Sequence, residues 1–425
     1  MEKQQQRTLK RSIGLWSAVA INIGAIIGGG IFVVIGIVAG YAGSAMIVSM
    51  VIAGIIAYLT AYSFVKLTAW QPVEGSVYEY GRQLVSPYFG FLTGWMWIVS
   101  NTFTGAAVSL GFAYYLTSVF PGLPSNIVAA ILCLSFTALN LIGAKESATV
   151  NNILVAIKIL VLFFFIVLGF FHINTTNFSF FEPFSNGVLF GAFFIFFAYG
   201  GFARVAVVAE EVKDAKRNVP RAMLLSLGIS MAIYILVGVI SVGLLGSAGL
   251  SSSSSPLTTA INATGYPLAV QIVAVGGLVA TASVLLTSIL GVSRIAYSMA
   301  RRNDLPAIFS KLHYKFLTPY YAILLSGILM ASLVLFVDLT RVVAISTFAL
   351  LFYYSVTNFA AFKMKNANPK SKILSIAGLF SCSLLLIFVL FASIDSWVIG
   401  IVFLFVGTIL YYLRKKLKHD VKKQT

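Results

Sequence analysis

Long apolar runs separated by short polar segments set the pattern of this 425-residue chain. A run of about 20 apolar residues is long enough to cross the hydrocarbon core of a bilayer as a helix. The pattern therefore predicts an all-α integral membrane protein with twelve transmembrane helices. The predicted spans are 13–40, 43–67, 88–119, 126–143, 149–171, 187–208, 222–246, 266–297, 319–337, 340–362, 373–392 and 395–413.

Lysine and arginine residues between the runs predict the orientation of the helices, because cytoplasmic loops are enriched in both. With the N-terminus inside, the inner segments carry nearly all of these residues and the outer loops hold only Arg341. Residues 1–12 and 414–425 are then basic cytoplasmic tails. We expect a multi-pass protein of the plasma membrane with both termini in the cytoplasm and with anionic lipid as a contact.

Glycine residues interrupt two of the predicted spans. The first contains Gly24 and then Gly28–Gly30, and the sixth contains Gly200 and Gly201. Each glycine in a helix interior costs about 1 kcal/mol relative to alanine. The first span is therefore either a tightly packed helix or a helix broken inside the membrane. Broken helices at that depth survive only where they line a cavity or are covered by protein, and matching breaks in two repeats indicate a transporter site.

Composition supports the membrane assignment, since 59% of the residues are hydrophobic and 10% are charged, with a mean hydropathy of +0.96. Soluble domains have about 25% charged residues. The net charge of +17 is accounted for by orientation and lipid contact, so no nucleic-acid partner is expected. Two cysteines and three histidines are scattered along the chain, which predicts no metal site and no cofactor.

Four sets of short motifs occur in order along the first three quarters of the chain. They are residues 24–32; residues 72–80 with 89–95; residues 197–202 with 209–211 and 218–221; and residues 294–301 with 305–306 and 318–319. Together they resemble the first helix, the third helix with its preceding loop, the sixth helix and the eighth helix of the amino acid–polyamine–organocation (APC) transporter family.

The resemblance to APC transporters implies a fold and a type of activity. The fold would be a five-plus-five inverted repeat, helices 1–5 at 13–171 and helices 6–10 at 187–362, with helices 1 and 6 broken and two additional helices at 373–413. The activity would be alternating access for an amino acid or a similar amine.

The two ends of a broken helix can bind the two charges of a free amino acid. A half-helix begins with unpaired N–H groups and a positive dipole end, so the amides around Gly29, Gly30 and Ile31 are predicted to bind the carboxylate. The family resemblance places carboxylate-binding glycines at Gly28–Gly30. Carbonyl groups at the preceding helix ends can accept the ammonium, and the family resemblance places them near Ile26, Phe197 and Gly200. Phe197 or Tyr199 is expected to cover the substrate as an aromatic gate, unless both belong to ordinary packing.

Lys158 lies inside the fifth predicted span. An ionised lysine within the bilayer is costly, so it should face a cavity, a partner or water. Its position is roughly 10 Å along the helix from Asn151, so the alternative is a stem that reaches the cytoplasmic headgroups. A lysine in low-dielectric surroundings releases its proton more easily, and Lys158 resembles a lysine that some APC members have in place of a coupling sodium ion.

From these observations we expect Lys158 to take up and release a coupling proton. Its expected neighbours are carbonyl groups of the first break and hydroxyl groups of the eighth helix such as Ser283. Protons, rather than sodium, are the expected coupling ion.

Arg204 marks a departure from the APC pattern, in which an acidic residue often follows the Gly-Phe pair of the sixth helix. That position is Ala203 here, and Arg204 follows it. The absence of an acidic side chain argues against cationic substrates. Arg204 is interpreted either as the partner of a substrate carboxylate or as a charge paired with Glu210 or Glu211.

The glutamates expected on the inner side, in gate or loop ion pairs, are Glu74, Glu79, Glu210 and Glu211.

The sequence therefore favours a secondary transporter, a proton-coupled symporter of neutral or broad-range L-amino acids. The second interpretation is an amino acid exchanger in which Lys158 is only structural, and a channel is a third. An enzyme is not expected, because the sequence contains no metal motif, nucleophile elbow or phosphate-binding loop.

Overall fold

The computed structural model of the protein describes residues 13–72, 76–142, 148–178, 181–207, 209, 212–316, 318–365 and 368–424. These residues form sixteen α-helices and no β-strand beyond one isolated bridge between Ile13 and Val212. In chain order the helices are α1 (Leu15–Ile26), α2 (Ile35–Ala42), α3 (Met46–Trp70), α4 (Ser76–Tyr80), α5 (Pro87–Val119), α6 (Ser125–Leu141), α7 (Ala148–Phe170), α8 (Asn186–Tyr199), α9 (Arg204–Val207), α10 (Ala215–Ser251), α11 (Pro256–Asn262), α12 (Pro267–Arg301), α13 (Tyr320–Phe336), α14 (Leu339–Phe362), α15 (Pro369–Ala392) and α16 (Ile394–Gln424).

The described part of the chain has the apolar helices of a multi-pass membrane protein. Eight helical segments within it are long and apolar enough to cross a membrane, by length and composition, and α6 and α13 are shorter apolar helices. The first of the eight is a stretch from Leu15 to Trp70 that contains α1, α2 and α3. The expectation of an all-α integral membrane protein is confirmed.

Capping residues define several helix starts close to the ends of the apolar runs. The hydroxyl of Ser86 accepts a hydrogen bond from the Phe89 N–H at 3.2 Å at the start of α5. Asp338 caps α14 in the same way through the Arg341 N–H at 3.0 Å. Such side chains satisfy N–H groups that the first turn of a helix leaves unpaired, so the sequence signal for each start is local.

Two helices extend well beyond the predicted spans. α10 begins at Ala215, before residue 222, and continues to Ser251 through a kink at Gly246, which has φ 73°. α16 continues to Gln424, past residue 413. Hydropathy marks where apolar residues end, whereas lysine and arginine are good helix formers. The helices therefore continue into polar sequence.

The first predicted span is broken rather than continuous. α1 ends at Ile26, and Ile27 leaves helical geometry with ψ 88°. The chain then resumes as a π-helical turn at Gly30–Val34 that leads into α2. The sixth predicted span is interrupted more mildly, by a 3₁₀ turn at Gly200–Ala203 between α8 and α9.

The interrupted helices lie between two groups of packed helices. α10 packs along α1 and α3, and α8 packs against α2 and α3. On the other side, α12 and α14 both pack along α5. Both interruptions therefore lie at the boundary with the helices around α5, and a cavity is found at this boundary.

Candidate functional site

A cavity lies where the two interrupted helices face α5, α12 and α14. The space open to the centre of a water molecule is about 40 Å³, several times the ~10–15 Å³ that one water needs. The predicted site residues that line it are Ile26, Gly28, Gly29, Gly30, Phe197 and Gly200. The structure therefore brings six of the seven predicted substrate-binding residues together around one space.

The backbone at the first break lines this cavity. The Ile27 N–H still donates to Ile23 O at 2.7 Å and closes α1. Helical geometry resumes at Gly29, with φ −54° and ψ −23°. The first N–H groups of a helical segment have no partner within that segment, and Gly28, Gly29 and Gly30 all line the cavity.

The two interruptions pack against each other through glycines. A Cβ on Gly30 would overlap the backbone of Ala198 in α8, and a Cβ on Gly201 would overlap the backbone of Ala25 in α1. The contact is reciprocal, since each broken helix contributes a glycine that touches the backbone of the other. Glycine is required at both positions because any side chain would push the two backbones apart.

Buried tyrosine hydroxyl groups bind carbonyl groups at both interruptions. Tyr234 of α10 donates to Ile26 O at 2.6 Å and also lies 3.2 Å from Ala198 O. Tyr354 of α14 donates to Gly200 O at 2.8 Å. Two of the carbonyl groups expected to accept a substrate ammonium thus already accept a tyrosine hydroxyl, and a carbonyl oxygen has a second lone pair available.

Tyr199 lies outside the cavity, although it was expected as an aromatic gate. Its hydroxyl donates to Met50 O at 3.1 Å, and its ring packs on Tyr234 with the centroids 5.2 Å apart. Phe197 lines the cavity, and residues two apart in a helix point about 200° apart at 3.6 residues per turn. Of the two aromatic residues, only Phe197 has the position of a gate.

Lys158 lies at the first break, fully buried. Its Nζ donates to Gly24 O at 3.0 Å and also to Ser283 Oγ. Gly24 O belongs to the last turn of α1, where carbonyl groups lack helical partners and the dipole is negative. Lys158 therefore links α7 to the end of α1 and to α12.

Polar side chains of the cavity wall were not singled out from the sequence, apart from Arg204. They are Ser100, Asn101, Thr104, Arg204, Ser346 and Tyr353. Those on α5 and α14 follow helical spacing, with Ser100 and Thr104 four residues apart on α5 and Ser346 and Tyr353 seven apart on α14. Polar residues recurring every three or four positions in an apolar helix mark one face, and this signal was present in the sequence.

Comparison with known proteins identifies the family. The sequence model of the amino acid permease family matches residues 13–413. The chain belongs to this family. The match confirms the resemblance to APC transporters, and amino acid transport across a membrane is the activity that the family supports.

The permease is also similar to individual bacterial transporters. It is 32% identical over 418 residues to an uncharacterised transporter of Mycobacterium tuberculosis, an alignment that covers 96% of this chain and 92% of the relative. It is 28% identical to the methylthioribose transporter of Bacillus subtilis and 29% identical to the branched-chain amino acid permease BcaP of the same organism. Both alignments cover 99% of this chain and 96% of the relative.

A cluster of charges lies apart from the cavity of the permease, between the α4 segment and the end of α12. Glu79 Oε1 pairs with Arg302 Nε at 2.7 Å, and Asp304 Oδ2 pairs with Arg82 Nη1 at 3.0 Å. Tyr78 donates to the same Asp304 oxygen at 2.7 Å. Burial, followed by the hydrogen bond to Asp304, raises the pKa of the Tyr78 hydroxyl, so it remains a donor.

The predicted inner-side residues Glu74, Glu210 and Glu211 lie outside the described residues.

Metal ligands are not grouped in the described part of the permease, where no cluster of three or more His, Cys, Asp or Glu side chains occurs. Cys133 lies beside Ser109, and Cys382 lies beside Thr60. Both cysteines are buried and free.

Proposed function

We propose that this permease is a proton-coupled symporter that moves neutral or a broad range of L-amino acids by alternating access. Its helices would form twelve spans, as two inverted repeats of five with interruptions in the first and sixth, followed by two more. The reciprocal glycine contacts of Gly30 and Gly201 support this arrangement, because each interruption contributes the same element to the other. The protein would lie in the plasma membrane with both termini in the cytoplasm.

The substrate would bind through its backbone groups at the two interruptions. The amides of Gly28–Gly30 would bind the carboxylate. The carbonyl groups of Ile26 and Gly200 would accept the ammonium through their second lone pairs. Phe197 would cover the bound amino acid from α8. These groups recognise any L-amino acid, so the breadth of substrates depends on the remaining cavity wall.

The observation that carries the proton-coupling proposal is the position of Lys158, with its Nζ bonded to Gly24 O and Ser283 Oγ. A protonated lysine complements the negative end of α1. Loss of the proton removes this charge and weakens the hold of α7 and α12 on α1. Proton binding and release at Lys158 would therefore bias the movement of α1, which forms one side of the substrate site.

The test is uptake by purified protein in proteoliposomes with an imposed pH gradient. We expect Lys158→Ala to lower gradient-driven uptake at least tenfold. The matched control is Lys311→Ala, since Lys311 is exposed in the segment after α12, and it should transport as the wild type does. Uptake by Lys158→Ala that still follows the pH gradient would exclude Lys158 as the proton carrier.

A second measurement separates symport from exchange. Wild-type uptake into vesicles that contain no amino acid is expected under a pH gradient. If uptake instead requires an amino acid inside the vesicle and ignores the gradient, the permease is an exchanger and the role of Lys158 is structural.

A further inference from the structure

The apolar side chains of the cavity wall cover the glycines of the two interruptions. The pairs are Val284 on Gly28, Val108 on Gly29 and Leu350 on Gly200. In each pair a Cβ on the glycine would meet the branched side chain at or inside van der Waals contact. These side chains therefore close the wall around the backbone groups, and they leave the polar side chains to face the rest of the cavity.

Three hydroxyl groups of that polar wall have hydrogen-bond partners within the protein. Ser100 Oγ donates to Ser346 O at 3.0 Å, and Ser346 Oγ donates to Ser100 O at 2.9 Å. Thr104 Oγ1 lies 2.9 Å from Ser346 Oγ, and either hydroxyl can be the donor of this bond. These bonds connect α5 and α14 at the cavity wall.

Arg204 is the cation of the cavity wall. Of the described residues that line the cavity, it alone carries a formal charge. Its guanidinium donates to Asn101 Oδ1 at 3.2 Å and to Thr287 O at 3.3 Å. The group also lies over the Trp97 ring, 5.7 Å from the centroid. These contacts from α5 and α12 fix the orientation of the side chain.

A guanidinium held in this way selects among side chains by charge and by hydrogen bonding. Its five N–H donors are arranged in a planar fork that matches the oxygens of a carboxylate. A lysine or arginine side chain ends in donors only, so it cannot accept a hydrogen bond from the guanidinium. A branched apolar side chain would displace water from the polar wall without replacing its hydrogen bonds.

We propose that the permease selects amino acids whose side chain ends in a carboxylate or a carboxamide, and that Arg204 donates to the terminal oxygen. The proposal rests on the proposed function, because the substrate backbone at the two interruptions is what directs the side chain toward α5 and α14. It narrows the broad substrate range to glutamate, aspartate, glutamine and asparagine.

The experiment is ligand binding to the purified protein, measured by thermal shift and by competition against a radiolabelled substrate. Glutamate, glutamine, leucine and lysine are each compared on the wild type, on Arg204→Gln and on Arg221→Gln. Arg221 is an exposed arginine of α10, so its substitution is the control for loss of one positive charge. In the wild type we expect glutamate or glutamine to bind at least tenfold more tightly than leucine and lysine. Arg204→Gln should lower that preference at least tenfold, and Arg221→Gln should leave it unchanged.

The outcomes distinguish this inference from the proposed function. Preferred binding of leucine or lysine by the wild type overturns the inference while amino acid transport stands, and this result does not depend on whether a variant folds. A preference for glutamate or glutamine that persists in Arg204→Gln overturns the role of Arg204. Binding of no amino acid by the wild type overturns the proposed function itself. The affinities for glutamate and for glutamine, compared with each other, show whether the carboxylate or the carboxamide is preferred.

Discussion

Tyr234 shows how one side chain can hold a broken helix together. Its hydroxyl lies between Ile26 O at the end of α1 and Ala198 O near the end of α8. Helix ends leave carbonyl groups unpaired, and leaving such a group buried without a donor costs about 1–3 kcal/mol. A single buried hydroxyl therefore stabilises both interruptions and sets the position of a carbonyl group at the proposed ammonium site.

Tyr234→Phe is expected to lower the stability of the permease by about 1–2 kcal/mol, because it removes the hydroxyl and keeps the ring. Bound substrate should recover part of this loss, since its ammonium would donate to the same Ile26 carbonyl. The measurement is thermal unfolding with and without substrate, where the shift caused by substrate should be larger in the variant than in the wild type.

Tyr115→Phe is the matched control for this experiment. Tyr115 is also fully buried and donates to Phe32 O at 2.6 Å, beyond the break. It should lose similar stability without a larger substrate shift. Equal substrate shifts in the two variants would contradict the assignment of the Ile26 carbonyl to the site.

At the scale of the helices, the interruptions depend on close backbone contact between α1–α2 and α8–α9. Gly30 and Gly201 each touch the backbone of the opposite helix. Small residues allow this approach in membrane helices. The close contact places the amides of one helix and the carbonyl groups of both around a single cavity.

Gly201→Ala should disrupt this contact, because the new Cβ would overlap the carbonyl group of Ala25, which is backbone and cannot rotate away. Overpacking of this kind costs about 1–3 kcal/mol, and uptake should fall with it. The control is Gly228→Ala in α10, where no atom apart from the local backbone of the same helix lies within 4 Å of the added Cβ. That change should be neutral or stabilising by up to about 1 kcal/mol. The measurement is thermal unfolding of both variants. If Gly201→Ala and Gly228→Ala are equally stable, α1 and α8 can separate at no cost.

At the scale of the whole molecule, the charge cluster ties the segment before α5 to the end of α12. The side chain of Asp304 is 7% exposed and that of Arg82 is 29% exposed. Tyr78 is fully buried and donates to the same carboxylate. The cluster therefore joins the chain just before α5 to the chain just after α12.

Asp304→Asn is expected to destabilise the protein by about 1–3 kcal/mol, below the ~3–5 kcal/mol of a fully buried pair because Arg82 is partly exposed. The control is Asp395→Asn. Asp395 lies 3.8 Å from Arg341 in a pair whose side chains are 58% and 67% exposed, so its loss should cost less than about 1 kcal/mol. The stability of both variants is measured by thermal unfolding at low and at high salt. If the two variants melt alike, the cluster has no stabilising role.

Some features of the site follow from the sequence for a clear physical reason. A lysine such as Lys158 in an apolar run has to find acceptors, and it lies against Gly24 O and Ser283 Oγ. Three successive glycines, Gly28–Gly30, are poor helix formers, and the helix breaks beside them. In both cases the local cost leaves two outcomes, since a glycine run is either tightly packed or broken and a lysine in an apolar run either finds acceptors or reaches the headgroups.

Other features could not be predicted, because they depend on which way a side chain faces. Tyr234 and Tyr354 occur in apolar runs where a tyrosine usually serves as packing, and only the folded chain brings their hydroxyl groups to Ile26 O and Gly200 O. Phe197 and Tyr199 were alternative candidates for an aromatic gate, and the helix turns the Tyr199 hydroxyl toward Met50 O.

Hydrophobic length and glycine content act locally, so the sequence alone predicts a multi-pass membrane protein of helices and a weak point in its first span near Gly28–Gly30. It also placed Lys158 in need of partners. Only the tertiary structure decided which polar side chains, Arg204 among them, share the cavity with the two interruptions. The reason is that helix packing, and not residue type, sets the direction in which each side chain points.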